Sequence, residues 1–151
     1  MVDLFGSLTR EELADAVAEL AFKRGTTVED GTVQRAIDDA VASYALAAIE
    51  VDGESDGQPT RLAVGPTAFP TLPDGAADLP HILEFDADDR ALDRDAVAAA
   101  VEERLRREAA RAAAEGDDDR LETLLDVCFD VDVWAGTDTD GVRRDIERAL
   151  E

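Results

Sequence analysis

Lysine, histidine and cysteine are almost missing from this chain of 151 residues: each occurs once, as Lys23, His81 and Cys128. With a single cysteine no internal disulfide can form, so nothing in the sequence points to an oxidising compartment. One histidine and one cysteine cannot supply the four nitrogen or sulfur ligands of a zinc site, so no metal and no cofactor are expected. Basic residues number 15 against 37 acidic ones, and the formal charge of -22 argues against a nucleic-acid partner held by its phosphates. Neither a P-loop nor G-x-G-x-x-G occurs, which removes the motif-based case for a nucleotide enzyme. Runs of about 18 apolar residues, the length that spans a bilayer, are absent too. Met1 to Arg10 has neither a basic start nor an apolar run of signal-peptide length, so the expected location is the cytoplasm, away from membranes.

What remains is sufficient for an ordinary fold. A hydrophobic share of 45% provides a core for one domain. The expectation is a single domain over 1–151, with an N-terminal half to residue 65, an irregular segment over 66–92 and a helical half over 93–151. Fourteen of the fifteen basic residues are arginine, acids dominate and large aromatics are few. This composition resembles that of cytoplasmic proteins of salt-loving archaea. At about 1 M salt the Debye length shrinks to roughly 3 Å, which screens the self-repulsion of so acidic a fold.

Thr9, Arg10, Glu11 and Glu12 have capping-box spacing, with Leu8 and Leu13 placed as a hydrophobic staple, so a helix starts here. Leu13, Val17 and Leu20 form its stripe, and Gly25 ends it. A second helix is expected between about Glu29 and Ser43, with Val33, Ile37, Val41 and Tyr44 on one face and Asp38 and Asp39 pointing away; Thr26, Thr27 and Asp30 compete as its cap. Ala45 to Val51 and Arg61 to Val64 read as a hairpin around an acidic turn. Pro66, Pro70, Pro73 and Pro80 keep the next stretch irregular. Beyond it, an Asp93 cap opens a long helix to Glu115 with Val97, Val101 and Leu105 on one face. Asp117 to Asp119 open another, whose stripe is Leu121, Leu124, Leu125 and Cys128, and a short helix carries Val142, Ile146 and Leu150. The fold class is therefore α+β, mainly helical, with four to five helices and a small β-hairpin.

Several motifs imitate chemistry. Gly53 to Gly57 matches G-x-S-x-G, but Pro59 and a strand follow where a nucleophile elbow needs a helix. Asp138, Asp140, Gly141 and Glu147 fall at calcium-loop positions, yet Gly136 stands at the first position and Arg143 where an apolar residue belongs. Both read as acidic turns. Arg104, Arg106, Arg107 and Arg111 interleave with Glu102, Glu103, Glu108 and Glu115 as a salt-bridged helix surface. Trp134, with Phe129 and Val131, reads in the first instance as core. The candidate interaction residues are Phe69, Leu72, His81 and Trp134; no catalytic residue is assigned.

Two helices followed by a hairpin, over about Leu4 to Pro66, resemble part of a winged-helix module, whose DNA-binding members place a helix in the major groove. Here acids outnumber bases, and Asp38 and Asp39 lie where phosphates would approach, so a protein partner fits better than DNA. The stretches Asp3–Gly25 (DLFGSLTREELADAVAELAFKRG), Gly65–Leu83 (GPTAFPTLPDGAADLPHIL) and Leu124–Ala135 (LLDVCFDVDVWA) together resemble a family of small acidic haloarchaeal proteins of unknown function. That resemblance implies no activity. The sequence thus points to a non-catalytic protein-interaction or regulatory module, with a DNA-binding regulator and a small acid–base enzyme using His81 as alternatives.

Overall fold

The Thr9 capping box forms as its spacing dictates: the Glu12 amide donates to Thr9 Oγ1 at 3.2 Å and the Thr9 amide donates to Glu12 Oε2 at 2.8 Å. It opens the first helix in a computed structural model that describes Val2 and residues 6–51, 60–68 and 92–151. Contacts divide the chain into two units, Met1–Leu92 and Asp93–Glu151. The architecture is α+β and mainly helical, with five helices and a three-stranded antiparallel sheet among the described residues.

The N-terminal unit runs β1 (Leu8–Thr9), α1 (Arg10–Lys23), α2 (Asp30–Ala42), β2 (Leu46–Glu50) and β3 (Thr60–Val64). The hairpin of β2 and β3 pairs Leu46 with Val64 and Glu50 with Thr60, and β1 adds to the other edge of β3 through Leu8 opposite Leu62. The sheet order is β1-β3-β2. Leu8, Leu13, Leu20, Val33, Ile37 and Leu62, with Val2, make one core, because each amphipathic helix turns its apolar stripe to the same sheet face.

Three details depart from the sequence reading. Ala16 and Ala21 join Leu13 and Leu20 in the buried face of α1, while Val17 is only half-buried. The cap of α2 is Glu29, in extended conformation and without a side-chain hydrogen bond; the start is held instead by Thr32 and Val33 amides donating to its carbonyl. Tyr44 lies beyond the helix, at φ 64° behind the Ser43 cap, yet is 1% exposed. A left-handed conformation costs a bulky residue about 1 kcal/mol or more, so neighbours must hold it. Gly65 N–H donates to Ala45 O, Thr67 N–H to Tyr44 O and Thr67 Oγ1 to Ser43 O at 2.8 Å. Gly65 is required at this close approach, since a Cβ there would collide with the Tyr44 carbonyl.

The C-terminal unit consists of α3 (Arg94–Glu115), α4 (Asp118–Ala135) and α5 (Asp140–Leu150), each in contact with both others. Asp93 accepts from the Asp95 amide and Asp117 from the Arg120 amide, so the first two helices start on side-chain caps. Both end at glycines in left-handed conformation, Gly116 and Gly136. Val97, Val101, Leu105, Ala109 and Ala112 of α3 meet Leu121, Leu124, Val127, Cys128 and Val131 of α4 and Val142 and Ile146 of α5. The stripe of α4 differs from the expected one: Val127 is buried and Leu125 half-buried. Phe129, read as core, is instead 52% exposed, because at 3.6 residues per turn it points about 140° away from Leu124, in the middle of the buried stripe.

Candidate functional site

Of the candidate interaction residues, Phe69, Leu72 and His81 lie outside the described residues, as does the Gly53 to Gly57 turn. Trp134 lies near the end of α4, half-buried, and lines a cavity of about 40 Å³ with Arg94, Asp95, Ala98 and Ala135. That space suits a water or two, not a substrate. Trp134 therefore belongs to a helix-packing seam.

The outward face of α2 carries the exposed carboxylates of Asp30, Asp38 and Asp39 against one exposed cation, Arg35. Arg10 reaches across from α1, donating to Asp38 Oδ1 at 2.7 Å and to Gln34 Oε1 at 3.3 Å. This cross-link fixes α2 against α1 and leaves its outer surface acidic. A helix presented to phosphates would carry the opposite sign.

The turn that imitates a calcium loop is organised around a guanidinium. Arg143 pairs with Asp132 at 3.4 Å, with Asp138 at 4.0 Å and with Asp140, and its guanidinium lies 5.0 Å from the centre of the Phe129 ring. The Thr139 amide donates to Asp132 Oδ1 at 2.8 Å, and the Thr139 hydroxyl to the Cys128 carbonyl at 3.3 Å. These carboxylates thus spend their lone pairs on protein donors, and a cation entering would meet Arg143 first. Among the described residues no group of three or more His, Cys, Asp or Glu stands where it could hold a metal ion.

On α3 the arginine ladder forms at three of its four expected arginines, Arg104, Arg106 and Arg111. Arg104 and Arg120 donate to the two oxygens of Glu108 at 2.7 Å and 2.5 Å, Arg106 pairs with Glu102 and Glu103, and Arg111 with Glu115. Burial pushes the Glu108 carboxyl up, but hydrogen bonds and charge from Arg104 and Arg120 outweigh it and hold the group below the usual carboxylate range. Burial pushes the Cys128 thiol up, against a hydrogen bond from Thr139 and with the Asp132 charge, and the side chain is packed in the core.

Sequence reasoning missed one surface. Phe129 and Val133, 52% and 88% exposed, stand one turn apart on the outer face of α4. The signal was available: once Leu121, Leu124 and Cys128 are assigned inward, the helical period turns Phe129 and Val133 outward. Among the described residues no helix is long and apolar enough to cross a membrane. No curated protein and no solved structure matches the chain. Its family model, described as a family of unknown function (DUF7109), matches residues 1–151, and the chain belongs to that family.

Proposed function

We propose that this protein is a non-catalytic interaction or regulatory module of a halophilic cytoplasm, with a winged-helix-like N-terminal half that meets another protein. The observation that carries this reading is the β1-β3-β2 sheet: a short strand before two helices pairs with the second strand of the hairpin after them, as in winged-helix modules. The acidic outer face of α2 supports protein over DNA as the partner. The arrangement itself also favours the alternative of a DNA-binding regulator, since α2 occupies the place of a recognition helix.

Tagged purification from native cells, at cytoplasmic salt throughout, tests the reading. A stoichiometric protein partner is the expected result. Co-purifying DNA would establish the regulator instead. A protein carrying neither would return the weight to acid–base chemistry at His81, where a folded His81→Ala variant is the next comparison. The halophilic part has its own measurement. With a charge of -22, melting temperature should fall as potassium chloride is lowered from molar to millimolar concentration, and equal values would refute adaptation to salt.

A further inference from the structure

Glu122, Asp126, Phe129 and Val133 follow one another at i, i+4, i+7 and i+11, a single line along α4 on the side away from its core stripe. The line is acidic at its start and apolar at its end. Asp130, half-buried, flanks it, and the one cation of α4, Arg120, is held by Glu108. Arg143 adds no free charge here, because it is shared among Asp132, Asp138 and Asp140. Its guanidinium over the Phe129 ring restrains that side chain in advance, so less rotamer freedom is lost when the ring is covered.

Two kinds of occupant conflict with this surface. A second copy would bring an equally acidic face with no free cation to pair with Glu122, Asp126 and Asp130, and nucleic acid would bring phosphates to them. We propose that the outer face of α4 is the docking surface for a cationic amphipathic helix of a protein partner. Phe129 and Val133 fill the partner's apolar stripe, and Glu122, Asp126 and Asp130 pair with arginine or lysine along its flanks. The proposal rests on the interaction-module reading above. At about 1 M salt only charges in contact still attract, so apolar burial and direct pairs supply the specificity.

The test uses the full chain in molar potassium chloride, which suppresses the general attraction between an acidic protein and any basic peptide. The probe is a synthetic, tryptophan-free helix with leucine on one face and arginine along both flanks, against a scrambled peptide of the same composition. Trp134, the only tryptophan and the neighbour of Val133, gives the fluorescence readout. One-to-one binding is expected, weakened roughly tenfold or more by Val133→Asp and by Phe129→Ser, as for central apolar anchors. Phe22→Ser, at an exposed phenylalanine of α1, should leave it unchanged. Melting curves establish that each variant folds, and an Asp126→Asn, Asp130→Asn double variant, which keeps the apolar pair, should also weaken binding. Absence of binding, equal binding of the scrambled peptide, or undiminished binding by Val133→Asp would overturn the proposal. Self-association abolished by Val133→Asp would overturn it too, in favour of a second copy. A native partner retained by Val133→Asp would sink this surface and leave the module reading standing; purification without any protein partner would sink the module reading itself.

Discussion

The C-terminal unit joins its helices through turns of two and four residues, Gly116–Asp117 and Gly136–Thr139, so each helix packs on its neighbours in the chain. The N-terminal unit must bring Leu8 beside Leu62, more than fifty residues on, before its third strand exists. Charge is distributed as unevenly. Residues 93–151 hold nine of the fifteen basic residues, all arginine, and seven of them pair with carboxylates within the unit, whereas in the N-terminal unit the pair of Arg10 and Asp38 joins two helices. Caps, periodicity and charge spacing are sufficient to build the first kind of unit. The second kind depends on pairing that only the folded chain supplies, with a larger loop-closure cost and slower formation.

The largest expected effects come from emptying the two cores. Leu105→Ala in α3 and Leu62→Ala in β3, at side chains 0% and 2% exposed, should each cost about 2–5 kcal/mol in denaturant melts. Tyr44 reports on the N-terminal unit and Trp134 on the C-terminal one. The comparison sharpens if Leu62→Ala slows refolding seen at Tyr44 more than Leu105→Ala slows refolding seen at Trp134; the opposite order would break it.

A smaller effect is expected at the α4–α5 turn. Arg143→Ala removes the cation that Asp132, Asp138 and Asp140 share and the contact over Phe129, and should destabilise the C-terminal unit by about 1–3 kcal/mol. A loss below a few tenths would show that the turn is held by Thr139 and its backbone contacts alone.

The smallest concerns pH. Glu108 has a folded pKa below that of the unfolded carboxylate, so the unfolded chain takes up its proton first as pH falls. Its contribution is present above about pH 4.3 and is lost as pH drops through the folded value. Because the group is partly exposed, the contribution should stay below about 1 kcal/mol. Glu108→Gln should therefore lower the melting temperature at pH 7 and converge with the wild type once the pH has fallen below the folded value. A gap that persists in acid would assign the loss to packing.

Legibility followed the same division. The caps at Thr9, Asp93 and Asp117 were readable because side chain and amide lie two or three residues apart, as were the core stripes around Val101 and Leu124. β1 was not, since two residues show no period. Tyr44 was misplaced on α2 because its spacing from Ile37 and Val41 suits a helix, while the turn that buries it is fixed by Gly65 and Thr67, more than twenty residues away. Trp134 was singled out for its chemistry, yet it closes a helix seam; the exposed neighbours Phe129 and Val133 were passed over because apolar residues in a helix read first as core.

By itself the sequence determined the acidic surface, the hairpin, the helices, the caps of α1, α3 and α4 and the arginine pairs within α3, the last three because each rests on residues within a turn or two of one another. Only the tertiary structure decided which strand adds to the hairpin, how a tyrosine is held in a left-handed turn, which carboxylates Arg143 gathers and which apolar side chains are left facing solvent. Those depend on where distant segments meet, and packing, unlike periodicity, is a property of the whole fold.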